Sequence, residues 1–447
     1  MGFQNWDDHD RADRYIAQLN AQTYLESCDP NAIIFTIGDN DTFPLWYMQQ
    51  IEGVRRDIKI INTSLFATDW YIDQMKKKTY DADPIPSKLQ HHQYKYGTLD
   101  IAYHFPHPKL KDSVIPIKSF MDWIATDHEA TYFESPSGLK EKLFPTTRIR
   151  IPVNKENALK YGIVAPKDAN KMLDYIDINI DEAITKNRIL MLDILNNFDW
   201  KRPIYFTGGA GADEEYIWLK DYLQLDGMAY KLVPIRTPIA GRSMFDMGRI
   251  DPEKMYNNVK NWDWKTINNG EIYLDEQAKR NAISLRNNLM RLSEEFLIKG
   301  DTATAKEVLD LSIHKMPIKD FGHYSISLGY PELYYRIGDK NKARQTAETL
   351  LDIFNQQLEH YSTYDDIAYI ADDLETTIFM YQNIMAQIRR FDNDMTYKKT
   401  IEEMFNSKLF LLNHLIQMPE EEKQQELQML DSLEMMQQKL LDSISAE

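Results

Sequence analysis

The chain has 447 residues, enough for two or three domains, and its hydrophobic content of 43% is that of a folded protein. Its net charge of −17 argues against nucleic-acid partners and against docking to anionic lipid, because both require a basic surface. The single cysteine, Cys28, excludes an intrachain disulfide but does not exclude an oxidising compartment.

The first part of the chain alternates helices and strands. Arg11 to Ser27 predicts a helix with Asp10 as its N-cap. Ala32 to Ile37 is almost continuously apolar and rich in β-branched residues, which is typical of a central parallel strand. Asp57 to Leu65 predicts a second strand, and Trp70 to Lys78 a further helix. This βαβα order predicts a Rossmann-like parallel sheet.

Residues 81–171 are rich in Pro, His and aromatic residues, and we interpret them as a long insertion in an α/β domain of residues 1–240. The alternation then resumes and predicts a helix at 184–197, a strand at 203–207, a helix at 214–223 and a strand at 230–233. Residues 241–274 are interpreted as a connector.

Residues 275–447 predict a tetratricopeptide-like helical domain. Gly300-Asp301 recurs as Gly338-Asp339, at a spacing slightly longer than the roughly 34 residues of the standard repeat. We expect each glycine to end the first helix of a pair, and the helices to form a right-handed stack with a concave groove. The segment 420–443 is interpreted as a capping helix. The predicted fold class is therefore α/β followed by all-α.

The strongest candidate site is the segment GDNDTFPLWY at residues 38–47. Ligands gather at the carboxyl ends of parallel strands, where Asp39, Asn40 and Asp41 are expected. These side chains can bind a cation, orient sugar hydroxyls or hold a basic group. They can equally cap a turn and a helix start, and the residues alone leave both interpretations open.

Asp7, Asp8, His9 and Asp10 form a secondary candidate cluster. Their side chains are ligand types for a divalent metal, but the spacing fits neither an EF-hand nor a zinc signature, and acids also favour a helix N-terminus. We predict no bound metal. We also predict no cofactor, because the glycine-rich segment 207–215 lacks the third glycine of the dinucleotide fingerprint and carries acids that repel phosphate.

Four segments carry a family resemblance: NWDDHDR (5–11), residues 31–62, TDWYIDQM (68–75) and WKRPIYF (200–206). In this order they resemble the soluble C-terminal part of glycosyltransferase family 117. That family comprises large bacterial membrane proteins and is grouped with a vertebrate transmembrane protein O-mannosyltransferase. The tetratricopeptide-like repeats are also similar to the end of such proteins.

The resemblance implies a GT-C membrane enzyme whose donor is a polyprenyl-phosphate sugar and whose acceptor is a protein or peptide. The catalytic residues then belong to the transmembrane portion of the same polypeptide, this chain alone is inactive, and it faces the periplasm. The abrupt opening at Met1-Gly2 leads us to expect a start inside a longer chain. The resemblance and the predicted sheet edge together give these ligand or interface candidates: Asp39, Asn40, Asp41, Trp46, Tyr47, Arg56, Asn62 and Trp70.

Two alternatives remain open from the sequence. The chain can be a free-standing α/β protein or enzyme that binds a small polar ligand at the 38–47 segment. It can also be an interaction scaffold in which the helical repeats are the working part. Hydrophobic spans upstream of Phe3 in the full reading frame would favour the membrane glycosyltransferase, and a natural start at Met1 would favour the alternatives.

Overall fold

The computed structural model describes residues 15–110, 113–135, 138, 140–208, 216–238, 247–264, 274–364 and 366–412. The chain divides into two compact units, residues 1–323 and residues 324–447. The first unit is mixed α/β, and the described part of the second is helical, which confirms the predicted fold class at this level.

The strands are β1 (Ile33–Thr36), β2 (Lys59–Asn62), β3 (Ile101–His104), β4 (Ile115–Pro116), β5 (Tyr132–Glu134), β6 (Lys140–Phe144), β7 (Arg148–Pro152), β8 (Tyr175–Asn179), β9 (Ala183–Thr185), β10 (Ile204–Thr207), β11 (Leu223–Leu225), β12 (Ala229–Leu232) and β13 (Arg249–Ile250). In the described part of the chain they form a six-stranded sheet, β13-β11-β12-β10-β1-β2, and two smaller sheets, β5-β6-β3-β9 and β4-β7-β8.

The helices of the first unit are α1 (Ile16–Ser27), α2 (Asp39–Gln50), α3 (Asp69–Met75), α4 (His91–Tyr94), α5 (Ile117–Ala125), α6 (Lys155–Lys160), α7 (Lys186–Asn197), α8 (Pro252–Lys260), α9 (Glu276–Ile298), α10 (Thr302–Lys315) and α11 (Ile318–Phe321). Those of the second unit are α12 (Tyr324–Ser327), α13 (Gly329–Ile337), α14 (Lys340–Tyr361), α15 (Ala371–Phe391) and α16 (Met395–Leu411). Among the described helices, none combines the length and the apolarity needed to cross a membrane.

Strand β1 lies inside the large sheet, with β10 on one side and β2 on the other, both parallel to it. All four of its residues are buried, because helices and loops cover both faces of the sheet at this position. The buried apolar run predicted from the sequence is therefore confirmed as an interior parallel strand.

The large sheet is mixed, so the expectation of a wholly parallel sheet is corrected. β10, β1 and β2 are parallel, but β12 pairs antiparallel with both β10 and β11. The reason is that β11 and β12 are joined by a short hairpin, which reverses the chain direction. The helix predicted at 214–223 is also wrong in its described part, where Ile217–Tyr222 is a 3₁₀ turn.

The predicted insertion lies between β2 and β10 along the chain and contains both smaller sheets. It extends beyond residue 171, because β8 and β9 complete these sheets. Its strands are short and separated by irregular segments. The alternation of apolar and polar residues was therefore too brief to predict these strands from the sequence.

The glycines of the repeat end helices as expected. Gly300 follows α9 and Gly338 caps α13, both with positive φ. The aspartate after each glycine accepts a hydrogen bond from a backbone N–H in the first turn of the next helix, which begins there as a result. The pair α9–α10 belongs to the first compact unit, and the predicted boundary at residue 275 remains a prediction.

Candidate functional site

The segment after β1 forms a tight turn into α2. Gly38 has φ +76°, a left-handed conformation that favours glycine, and α2 begins at the next residue. The hydroxyl of Thr42 donates to the carbonyl oxygen of Gly38 at 2.7 Å. Because this bond closes the turn, the first residues of α2 lie at the carboxyl edge of the sheet, as predicted.

The carboxylate of Asp41 accepts hydrogen bonds from other parts of the fold. Its Oδ2 accepts a hydrogen bond from Thr207, the last residue of β10, at 2.7 Å, and its carboxylate also accepts the N–H of Ile37. Burial nevertheless raises the pKa of Asp41 above its usual value. The side chain therefore ties α2 to two neighbouring parallel strands.

Asn62 is also part of the fold, at the end of β2. It is buried, its Nδ2 donates to Thr42 Oγ1 at 2.8 Å, and its Oδ1 accepts the N–H of Leu65 at 2.9 Å. Thr42 Oγ1 lies 2.6 Å from Thr36 Oγ1, so the polar cluster is satisfied internally. A buried amide with both ends bonded positions the edge and does not face a ligand.

Asp39 and Asn40 behave differently from Asp41. Both side chains are exposed, and within the described residues neither makes a hydrogen bond or ion pair. The fold therefore uses the carboxylate of Asp41 and, within the described part of the chain, leaves the side chains of Asp39 and Asn40 unused.

The aromatic candidates of α2 lie further along the same helix. Trp46 is half-buried, with its ring centroid 5.6 Å from that of the exposed Phe43. Tyr47 is exposed and donates its hydroxyl to Glu52 at 2.6 Å, a bond that raises the pKa of Tyr47.

Arg56 lies at the far end of α2. Its Nε donates to the carbonyl oxygen of Gln49 at 2.9 Å, and its guanidinium lies 4.8 Å from the centroid of the Tyr80 ring. Because α2 has 12 residues, roughly 18 Å of helix separate Arg56 from Asp39. The structure therefore does not bring these two candidates together.

Trp70 follows Asp69 at the start of α3, and Asp69 connects this helix to Tyr96, a residue that the sequence analysis did not identify. Asp69 accepts the N–H of Trp70 at 2.7 Å and, through its other oxygen, the N–H of Tyr96 at 3.0 Å. These two hydrogen bonds lower the pKa of Asp69. Trp70 is 55% exposed and Tyr96 is 90% exposed. No motif marked Tyr96, which lies in the segment interpreted as an insertion.

We group Asp39, Asn40, Trp70 and Tyr96 as the carboxyl-edge surface. Asp39 and Asn40 follow β1, Trp70 lies in α3, the first α-helix after β2, and the last residues of the two strands, Thr36 and Asn62, are in register. Tyr96 is placed beside α3 by the hydrogen bond from its backbone N–H to Asp69. Carboxylate and amide groups beside exposed aromatic rings can hydrogen-bond and pack against a polar or amphipathic partner. They do not form a nucleophile–base pair.

The secondary candidates Asp7, Asp8, His9 and Asp10 lie outside the described residues, as does most of the glycine-rich segment 207–215. Within the described residues, no group of three or more His, Cys, Asp or Glu side chains is placed to hold a metal ion. Cys28 is buried, and burial raises the pKa of its thiol.

The described part of the chain is thus a mixed α/β module with exposed polar and aromatic side chains near the carboxyl ends of its parallel strands. A model of the family described as TMEM260-associated domain 2 matches residues 17–254. The match covers more than half of the chain, which therefore belongs to this family. No curated protein matches the chain, and no solved structure matches it.

Proposed function

We propose that this chain is an extracytoplasmic accessory module of a membrane glycosyltransferase that uses a polyprenyl-phosphate sugar, and that it contacts the protein acceptor or the transmembrane portion of the same polypeptide. The family match over residues 17–254 carries this proposal, because the family is linked to a protein O-mannosyltransferase-like protein. The donor site and the catalytic residues then belong to the transmembrane portion.

The carboxyl-edge surface supports the contact role. Asp39 and Asn40 are exposed and have no partners among the described residues, and Trp70 and Tyr96 keep large aromatic areas in solvent. Aromatic side chains with polar tips suit interfaces where one part of the partner is apolar and another is wet. In our proposal this edge faces the membrane portion or the acceptor.

We further propose that the parallel strands β10-β1-β2 with α2 represent a Rossmann-like core, and that the helical pairs α9–α10 and α13–α14 are each tetratricopeptide-like. The parallel pairings and the glycine–aspartate junctions at Gly300 and Gly338 support these assignments.

The proposed location has a direct test in Tyr369→Cys within the full-length polypeptide, in a background in which the cysteines outside this chain are replaced. The native Cys28 is buried and a poor reactant, whereas Tyr369 is 81% exposed and lies outside the carboxyl-edge surface. A membrane-impermeant maleimide should label the variant in intact cells with a permeable outer envelope, and should not label the parent protein. Labelling that appears only after the inner membrane is broken would place this chain on the cytoplasmic side and refute the proposal.

A further inference from the structure

The smaller sheet β5-β6-β3-β9 has one covered face and one open face. Side chains alternate between the two faces along each strand. Ala102, Phe144 and Ile184 point to the covered face and are buried, and the ring of Phe144 packs 5.6 Å from that of Phe120 in α5. The opposite side, which we call the open sheet face, is formed by the following residues, all half-buried or exposed: Ile101, Tyr103, Phe105, Phe133, Glu141, Leu143, Ala183 and Thr185.

The open sheet face is more apolar than the water-facing side of a sheet usually is. That side normally carries polar side chains, which alternate with the apolar residues of the covered side. Here three aromatic rings form a cluster, in which the ring centroid of Phe133 lies 5.6 Å from that of Tyr103 and 4.6 Å from that of Phe105. Phe105 is 47% exposed. A cluster of apolar side chains left open to solvent is typical of a surface that a partner covers.

One carboxylate lies among these apolar side chains. Glu141 is in β6, directly opposite Phe133 of β5, and Leu143 of the same strand is in register with Tyr103 of β3. The carboxylate of Glu141 accepts a hydrogen bond from the hydroxyl of Tyr103, but within the described residues no cation pairs with it. A wholly apolar partner would desolvate this charge without compensation, at a cost in binding free energy. Charge complementarity therefore favours a partner that brings a cation to Glu141.

The dimensions of the open sheet face limit what can cover it. Four strands at the usual spacing of about 4.8 Å give a width of roughly 14 Å, and β6, with 5 residues, is roughly 17 Å long. The resulting area of roughly 240 Å² is far below the roughly 800 Å² that each partner of a stable dimer buries. Two copies packed face to face would also oppose their Glu141 carboxylates, which repel each other. A single α-helix, roughly 10 Å in diameter, matches the width of the face.

We propose that the open sheet face binds one amphipathic α-helix of a partner polypeptide, and that the apolar side of this helix carries a lysine or arginine opposite Glu141. The three rings and Leu143 pack against the apolar side of the helix, and the cation pairs with the carboxylate. The covered face of the same sheet shows the equivalent packing, because α5 lies on it, and a helix layer on a sheet is the usual way to bury an apolar sheet face. The inference goes beyond the proposed function, since it adds a contact surface that shares no residue with the carboxyl-edge surface.

The test is fluorescence anisotropy of the 447-residue chain with a fluorescein-labelled helical peptide of roughly 14 residues, about four turns. The peptide carries leucines along one side, one lysine at the centre of that side, and alanine and glutamine elsewhere. We expect saturable binding, and binding at least about tenfold weaker when glutamate replaces the lysine. Glu141→Lys should reverse this preference. Glu375→Lys, the same charge reversal at an exposed residue of α15, should leave the preference unchanged.

Phe105→Ser tests the apolar part of the contact. Phe105 is the most exposed ring of the cluster, so its removal should weaken binding of the lysine peptide at least about tenfold without disturbing the core. Phe379→Ser, at a residue of α15 that is 62% exposed, is the matched control and should bind like the parent chain. Urea unfolding of each variant shows that a loss of binding is not a loss of folding.

The inference is wrong if the chain shows no saturable binding, binds the lysine and glutamate peptides equally, or binds the lysine peptide unchanged after Phe105→Ser. Dimerisation of the chain in sedimentation equilibrium, abolished by Phe105→Ser, would also overturn it, because the open sheet face would then pair with a second copy. These measurements need neither a membrane nor glycan transfer. Their failure is therefore separate from failure of the labelling test at Tyr369, which concerns the proposed function.

Discussion

Asp39→Asn in the full-length polypeptide is expected to lower glycan transfer and to leave the stability of this chain almost unchanged. Asp39 begins α2, its side chain is exposed, and no described residue bonds to it. The interaction that the fold loses is that of a carboxylate with the helix dipole, a few tenths of a kcal/mol at an exposed position. If the carboxylate binds a partner through its charge, the rate of glycan transfer should fall by one to two orders of magnitude. This corresponds to a loss of about 1.4–3 kcal/mol of transition-state stabilisation.

Asp41→Ala is the internal contrast, since its carboxylate accepts Thr207 and the N–H of Ile37 within the fold. Losing these bonds should cost about 1–3 kcal/mol of unfolding free energy. Asp122→Asn, at an exposed carboxylate on α5 that pairs with Lys118, is the surface control. Urea unfolding of the chain and transfer rates normalised to protein abundance give the two readouts. Normal transfer by Asp39→Asn with a large loss of stability would refute the reasoning, as would an equal loss of transfer in Asp122→Asn.

Three further predictions concern the buried charged residues Asp226 and Lys59 and the exposed ring of Trp70. Asp226→Ala should destabilise the chain by about 3–5 kcal/mol in urea unfolding, because it leaves the buried Lys231 and its neighbour Lys254 with Asp29 as their one remaining carboxylate partner in this cluster; a loss below about 1 kcal/mol would show that the ion cluster does not stabilise the fold. Burial lowers the pKa of Lys59 from 10.5 to about 8, so between these values the unfolded chain holds a proton that the folded chain has released. The unfolding free energy should therefore rise with pH above about 8, by at most about 1.4 kcal/mol per unit from this group, and Lys59→Met should remove that part of the slope. Trp70→Ala should cost less than about 1 kcal/mol of stability and still reduce transfer, and unchanged transfer would remove Trp70 from the proposed contact surface.

The local sequence pattern was sufficient to predict the strand at the centre of the large sheet. A strand covered on both faces needs a continuous apolar run, so residues 32–37 identified β1, and the polar segment after it had to lie at the carboxyl edge. The direction of β12 was not predictable in the same way, because a hairpin and a crossover both deliver a short apolar strand to the same sheet.

The candidate residues fall into two groups, those that form hydrogen bonds within the fold and those that stay exposed. The spacing of residues in the sequence does not distinguish the two groups. Asn62 and Asp41 carry the same polar groups as Asn40 and Asp39. The polar atoms of Asn62 and Asp41, however, form hydrogen bonds that join the strands to α2. Tyr96 joins the edge only because Asp69 bonds its backbone N–H across 27 residues of chain. Contacts of this length leave no periodic signal in a single sequence.

The polar groups at the carboxyl edge differ from the charged groups beside β13 in how many hydrogen bonds the fold already makes with them. Asp39 and Asn40 at the carboxyl edge have no partner among the described residues, so their positions are set only by α2. Beside β13, Asp168 and Arg249 are bonded to each other, and Arg249 also donates to Gln224. Groups that the fold already pairs have less to offer a partner, whereas exposed groups without partners favour an interface formed on contact. Of these two places, the carboxyl edge is therefore the one that better suits the contact proposed for this chain.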